Sequence, residues 1–215
     1  MARTTGSNGE ETAARIRICA LQLIVDHGFE AMSMRRLATA VGVQSAALYR
    51  YFPTKQALLA DLMTSHMKQL LAALDDVSAE TDGVAAASPA ARLDMFARFH
   101  IRYHILRPHE VFIAYMELRS LSKAHYATVS KLRRDYEGLL KAILADGVAD
   151  GSFQIDDTHV AAMAILAMLT GVTTWYHPGG RLTAEAVESC YVALALRMAT
   201  ENFRETLSVP RQALN

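Results

Sequence analysis

Apolar side chains recur at three- and four-residue steps along this chain, and that spacing confines it to helices. Ile16, Cys19, Ala20, Leu23 and Ile24 set the pattern in a first helix over about residues 11–27. Neither an alternation of period two nor a strand-length run of β-branched residues is found, and no repeat of roughly 20–50 residues is visible. Alanine and leucine dominate, and both favour helix. The fold class expected is therefore all-α. With 52% hydrophobic against 20% charged residues there is ample apolar surface for a core, which excludes global disorder.

Turn formers divide the helices. Gly28 ends the first as a C-cap. Ser33 caps a second over 34–40, Gly42 supplies a turn where a side chain is expected to clash, and 44–51 forms a third helix stopped near Pro53. Thr54 caps a fourth helix running to about residue 75. Residues 76–88 carry turn formers and read as a loop. Pro89 opens the next helix in its first turn, and further helices are expected at about 90–106, 108–120, 122–149, 157–176 and 183–205. The division expected is a flexible polar arm over 1–10, a small three-helix module over 11–53 and a larger helical bundle over 54–215.

The chain is formally neutral, but its charge is unevenly placed. Residues 1–60 hold seven Lys and Arg against four Asp and Glu, whereas the remainder is net negative. Between residues 31 and 60 stand Arg35, Arg36, Arg50 and Lys55 and no acid at all. Such asymmetry marks a surface that faces phosphates. In the same segment Leu37 and Ala38 pack the second helix on the third, and Val43 with Leu48 buries the inner face. That leaves Gln44, Ser45, Ala46 and Ala47 at the start of the third helix to meet base edges. Glutamine pairs bidentately with adenine, serine bonds several bases, and small alanines admit thymine methyls. Tyr49, Tyr51 and Lys55 are placed to clamp phosphates. Taken singly, each aromatic or arginine also reads as ordinary core or solvated surface; the ordered pattern carries the argument.

Over about residues 11–60 this segment resembles the helix-turn-helix of the TetR family, including its Leu48-Tyr49-x-Tyr51-Phe52-x-x-Lys55 ending. The resemblance implies a homodimeric repressor of double-stranded operator DNA that a small-molecule inducer releases. It further implies that Tyr49, Tyr51 and Lys55 are backbone contacts, that Arg35 and Gln44 to Ala47 face the groove, and that Ser33 lies at a phosphate-binding helix start. Arg50 departs from the family's aromatic or neutral residue and suggests an extra phosphate contact or a local salt bridge.

Beyond residue 60 the resemblance is architectural, since TetR proteins pair through their last two helices. Ala161, Ala164, Leu166, Met168 and Leu169, with Val187, Tyr191, Leu194 and Met198, suit that pairing, although burial within one protomer uses the same residues. Phe99, Tyr103, Phe112, Tyr115, Met116, Tyr136, Met163 and Trp175 are candidates to line a ligand cavity, or else plain core. Arg102 and Arg119 neighbour them and suit an anionic end on an apolar ligand. The segments Tyr115-Met-Glu-Leu-Arg-Ser-Leu-Ser122 and Trp175-Tyr-His-Pro-Gly-Gly180 look like the family branch that senses fatty-acyl or steroid-derived coenzyme A thioesters. An aromatic or cationic drug-like inducer is the competing expectation, and a helical module that does not bind DNA is a third.

Other classes fare worse. No glycine-rich phosphate loop, nucleophile elbow or paired-carboxylate arrangement is present, so no enzyme is expected, and no cofactor. His100 and His104 are spaced for a shared metal but lack completing ligands, and no metal is expected. Cys19 and Cys190 are expected as buried thiols in a reducing cytoplasm. The polar N-terminus lacks a signal-peptide core. The uncharged stretch 160–176 is read as an interface helix rather than a membrane span.

Overall fold

The computed structural model describes residues 7–80 and 87–201. Its helices are α1 (Ser7–His27), α2 (Met34–Val41), α3 (Ser45–Tyr51), α4 (Lys55–Glu80), α5 (Pro89–Ile105), α6 (Pro108–Met116), α7 (Lys123–Ala149), α8 (Thr158–Gly171) and α9 (Ala184–Thr200), with short 3₁₀ turns at Leu118–Ser120 and Val172–Thr174. No strand occurs among the described residues, so the chain is all-α as its periodicity demands.

Local chemistry sets most boundaries. Gly28 closes α1 with φ +80°, its N–H reaching the Ile24 carbonyl at 2.7 Å. Ser33 caps α2 by accepting the Arg36 N–H at 3.2 Å. Pro89 starts α5 behind Ser88, whose hydroxyl accepts from Ala91. Asp157 accepts the N–H groups of His159 and Val160 and so caps α8.

Several expectations need correcting. α1 begins at Ser7 rather than near 11, so residues 7–10 of the expected arm are helical; residues 1–6 lie outside the described residues. α4 runs five residues beyond the expected end, because Ser78 satisfies its hydroxyl inside the helix on the Leu74 carbonyl at 2.8 Å instead of breaking it. α6 stops at Met116 rather than 120, since Glu117 leaves the helical conformation. α8 ends at Gly171 and a 3₁₀ turn follows. Residues 202–205 of the expected last helix lie outside the described residues. Gly42 does adopt a left-handed turn at φ +77°, but nothing crowds it: an added Cβ would lie 4.0 Å from the Arg15 guanidinium. Its requirement is backbone conformation, not space. Cys190 is exposed and Cys19 only part-buried, because Cys190 lies on a face of α9 that the protomer leaves open.

Two compact units result. The first comprises, of the described residues, 7–71 and 107–133. Its core joins Ile16, Ala20 and Ile24 of α1 with Phe29, Leu37, Val41, Leu48, Leu58 and Leu59, and draws in Ile113 of α6 and Val129 of α7. α6 packs on α1. The second unit comprises, of the described residues, 72–80, 87–106 and 134–201, and in it α5 packs against α8 and α9. Ala97, Ala162, Ala195 and Ala199 are fully buried there, and such small residues let helices approach closely.

Candidate nucleic-acid interface

In the first unit α2 and α3 form the helix-turn-helix. Leu48, fully buried, is the residue by which α3 is seated in the core. Around that anchor Gln44, Ala46, Tyr49, Arg50 and Tyr51 are exposed, and Ser45 and Ala47 are half-buried. Gln44 is the N-cap of α3 in extended conformation and makes no side-chain cap bond, so its amide is available to another partner. Arg35 and Arg36 are exposed on α2 beside the Ser33 cap. Ser33, Arg35 and Arg36 also line a shallow depression with Leu23, Thr39 and Ala40.

Other polar bonds hold this arrangement. Arg15 donates to the Val41 carbonyl at 2.6 Å, tying α1 to the end of α2. Arg17 pairs bidentately with Asp61 of α4 at 2.7 and 3.3 Å, which holds its guanidinium pKa above the ordinary value, and it also lies over Phe52. Lys55 donates to the Glu30 carbonyl at 3.1 Å. Arg36 Nη2 lies 2.6 Å from His27 Nε2. Arg50 has no carboxylate partner among the described residues. Arg15, Arg17 and His27 were not expected as contributors, because each acts across sequence distances that periodicity does not report.

The candidate ligand residues divide between the units. In the first, Phe112, Tyr115, Met116 and Arg119 are exposed, and the Arg133 guanidinium, fixed on the Ala114 carbonyl, lies 4.8 Å from the Tyr115 ring centroid. In the second, Tyr103 and Tyr136 are buried, Phe99 and Met163 are part-buried and Trp175 is exposed. Phe99 and Tyr103 rings lie 5.6 Å apart. The Trp175 indole N–H donates to the Tyr191 hydroxyl at 3.3 Å. Arg102 is engaged by Glu188 at 2.7 Å, a buried carboxylate on the same helix as the apolar Val187 and Tyr191, which sequence reading did not single out. That pairing is the main reason the Arg102 pKa is raised.

The two histidines form a polar knot in the second unit. His100 is bonded through Nδ1 to the Tyr136 hydroxyl at 3.0 Å and through Nε2 to the Thr170 hydroxyl at 2.9 Å. His104 Nδ1 donates to the His100 carbonyl at 2.7 Å, and the two rings stack with centroids 3.8 Å apart. Both His100 nitrogens thus face hydroxyls. The described residues contain no group of three or more His, Cys, Asp or Glu disposed to hold a metal.

Comparison with known proteins gives the identity. The family of bacterial regulatory proteins called tetR matches residues 19–62, and the tetracyclin repressor-like C-terminal domain matches residues 86–199. The HTH-type transcriptional repressor KstR2 of Mycolicibacterium smegmatis is 28% identical over 206 residues, covering 94% of this chain and 97% of that protein. The crystal structure of PfmR, a TetR family transcriptional regulator from Thermus thermophilus, is 32% identical with a TM-score of 0.74, covering 87% of this chain and 100% of PfmR. AibR, solved in complex with isovaleryl coenzyme A and operator DNA, is 27% identical with a TM-score of 0.73 over 85% of this chain and 97% of AibR. Matched by the family's N-terminal domain where the helix-turn-helix lies and by its C-terminal domain over most of the remainder, this chain belongs to the TetR family and is a transcriptional repressor of that type.

Proposed function

We propose that the chain binds operator DNA as a homodimer, with residues 11–60 on the DNA, and is released by an apolar inducer with an anionic end, an acyl-coenzyme A or related lipid, taken up by residues 54–215. The observation that carries the DNA reading is the exposed start of α3, with Gln44 and Ala46 open and Leu48 fixing the helix from behind. Ser33, Arg35, Arg36, Tyr49, Arg50, Tyr51 and Lys55 are the phosphate and flanking contacts in this reading. Two-fold pairing sets two recognition helices about 34–36 Å apart, one helical turn of DNA or a multiple of it.

Pairing is assigned to α8 and α9. Val160 is 61% exposed and Leu194 46%, Ala164 is also exposed, and Met168, Tyr191 and Met198 are partly so. Leu166, Leu169 and Val187, also expected at the interface, are buried within the protomer and contribute there indirectly. No helix among the described residues is long and apolar enough to cross a membrane.

The inducer reading draws support from AibR, whose complex contains both isovaleryl coenzyme A and operator DNA. Its proposed contacts are taken unit by unit: Phe112, Tyr115, Met116 and Arg119 in the first unit, and Phe99, Arg102, Tyr103, Tyr136, Met163 and Trp175 in the second. A cationic inducer is favoured instead by Glu188, whose buried Oε2 has no hydrogen-bond partner among the described residues. Titrating a DNA complex with acyl-coenzyme A thioesters, free fatty acids and aromatic cations separates the two. Release by cations alone would replace the first reading with the second. A ligand with equal affinity for both states releases nothing.

A further inference from the structure

The turn between α1 and α2 is held from a distant part of the chain. After Gly28 bends the backbone, Phe29 carries an N–H that no helix can take up. It is accepted by the Glu117 carboxylate, Oε1 lying 3.0 Å away. The other oxygen of Glu117 accepts the Ser120 hydroxyl at 2.6 Å. Gln56 of α4 grips the same connection twice, donating to the Ser120 carbonyl at 2.7 Å and accepting the Ser122 N–H at 3.0 Å. All these residues belong to the first unit.

What the carboxylate fixes leads directly to the proposed interface. The Phe29 ring is buried beneath the Lys55 ammonium, and the Phe29 carbonyl accepts from Met32. Four residues after Phe29 comes Ser33, the cap of α2, followed by Arg35 and Arg36. A hydrogen bond to an ionised acceptor is about twice as strong as a neutral one. Losing it strands a part-buried N–H, which is costlier than merely losing a contact.

We propose that Glu117 is a positioning residue for the operator interface: by accepting the Phe29 N–H it sets the turn that places α2, and Gln56 ties its segment to α4. The placement of α2 thereby depends on the connection between α6 and α7, so any state that shifts residues 117–122 shifts the interface. This rests on the reading of α2 and α3 as the DNA-binding surface.

The test uses the full chain and a duplex selected by the wild type from a random-sequence pool. Affinities for that duplex and for random duplex are measured for Glu117→Ala, Glu117→Gln and Gln56→Ala well below their melting temperatures, together with amide exchange at Phe29. Glu117→Ala should weaken the selected duplex by about tenfold or more, weaken random duplex much less, and speed exchange at Phe29. Glu117→Gln keeps an acceptor oxygen and should restore most of the affinity. Gln56→Ala should lose specific affinity in the same direction, and it serves as the decisive variant if Glu117→Ala does not fold. Wild-type specific affinity in folded Glu117→Ala or Gln56→Ala, or a Gln variant as weak as Ala, would overturn the proposal while leaving DNA binding intact. A wild type that selects no duplex would overturn both.

Discussion

The ammonium of Lys55 lies 4.2 Å from the centroid of the Phe29 ring and donates to the neighbouring Glu30 carbonyl. Lys55 therefore has a role in the free protein as well as the phosphate role proposed for it. Its replacement separates the two. Lys55→Met should lower operator affinity on every sequence and reduce the slope of log affinity against log salt by about 0.9, one phosphate contact. Gln44→Ala should leave the slope unchanged and relax preference at one base pair by about 1–3 kcal/mol. Measured by anisotropy on a panel of single-base variants at several salt concentrations, identical behaviour of the two mutants would contradict these assignments.

Acid should destabilise the first unit through His66. Burial, and secondarily the positive Arg107, lowers this imidazole from 6.5 to about 4. Between those values the unfolded chain binds the proton and the folded one does not, so stability rises with pH across the window. The contribution is complete above about 6.5 and is lost as pH falls toward 4, amounting to about 3 kcal/mol. Urea melts of wild type and His66→Leu at pH 7 and 4.5 should show the wild type losing more. Equal losses would mean that His66 is not the titrating group.

Two glycines should respond differently to alanine. At Gly42 there is room for a Cβ but φ is +77°, so Gly42→Ala should cost about 1–3 kcal/mol through backbone strain alone. At Gly147 a Cβ would collide with the Phe153 ring, a buried side chain. Gly147→Ala should therefore cost at least as much through overpacking, about 1–3 kcal/mol, and Phe153→Leu should relieve part of it. Thermal melts of the single and double variants decide this; additivity of the Gly147 and Phe153 changes would show that the ring is not what the methyl meets.

The sequence yielded what local chemistry determines. Gly28, Ser33 and Pro89 announce their caps within one turn of chain, and the three- and four-residue spacing around Leu48 reveals both the buried and the open side of α3. Long-range pairings left no such trace. Glu117 and Phe29 are 88 residues apart, and Arg102 and Glu188 are 86 apart. Nothing in an apolar helix pattern marks Glu188 as a buried counter-ion for an arginine expected to await a ligand. Ser78 was misread for the opposite reason: a turn-forming residue can satisfy its hydroxyl on the preceding turn and leave the helix intact. The proposed ligand residues were the least legible, since aromatic and methionine side chains serve core, surface and cavity alike.

The most direct test of the account is the affinity of the purified full-length protein for a duplex it has selected from a random pool, compared with scrambled duplex of the same length at physiological salt. Specific binding by a repressor predicts a preference on the order of a thousandfold or more, with one or more whole dimers bound per duplex by sedimentation. Equal affinity for both duplexes would contradict operator recognition by α2 and α3. A monomer bound to the selected duplex would contradict the two-fold arrangement.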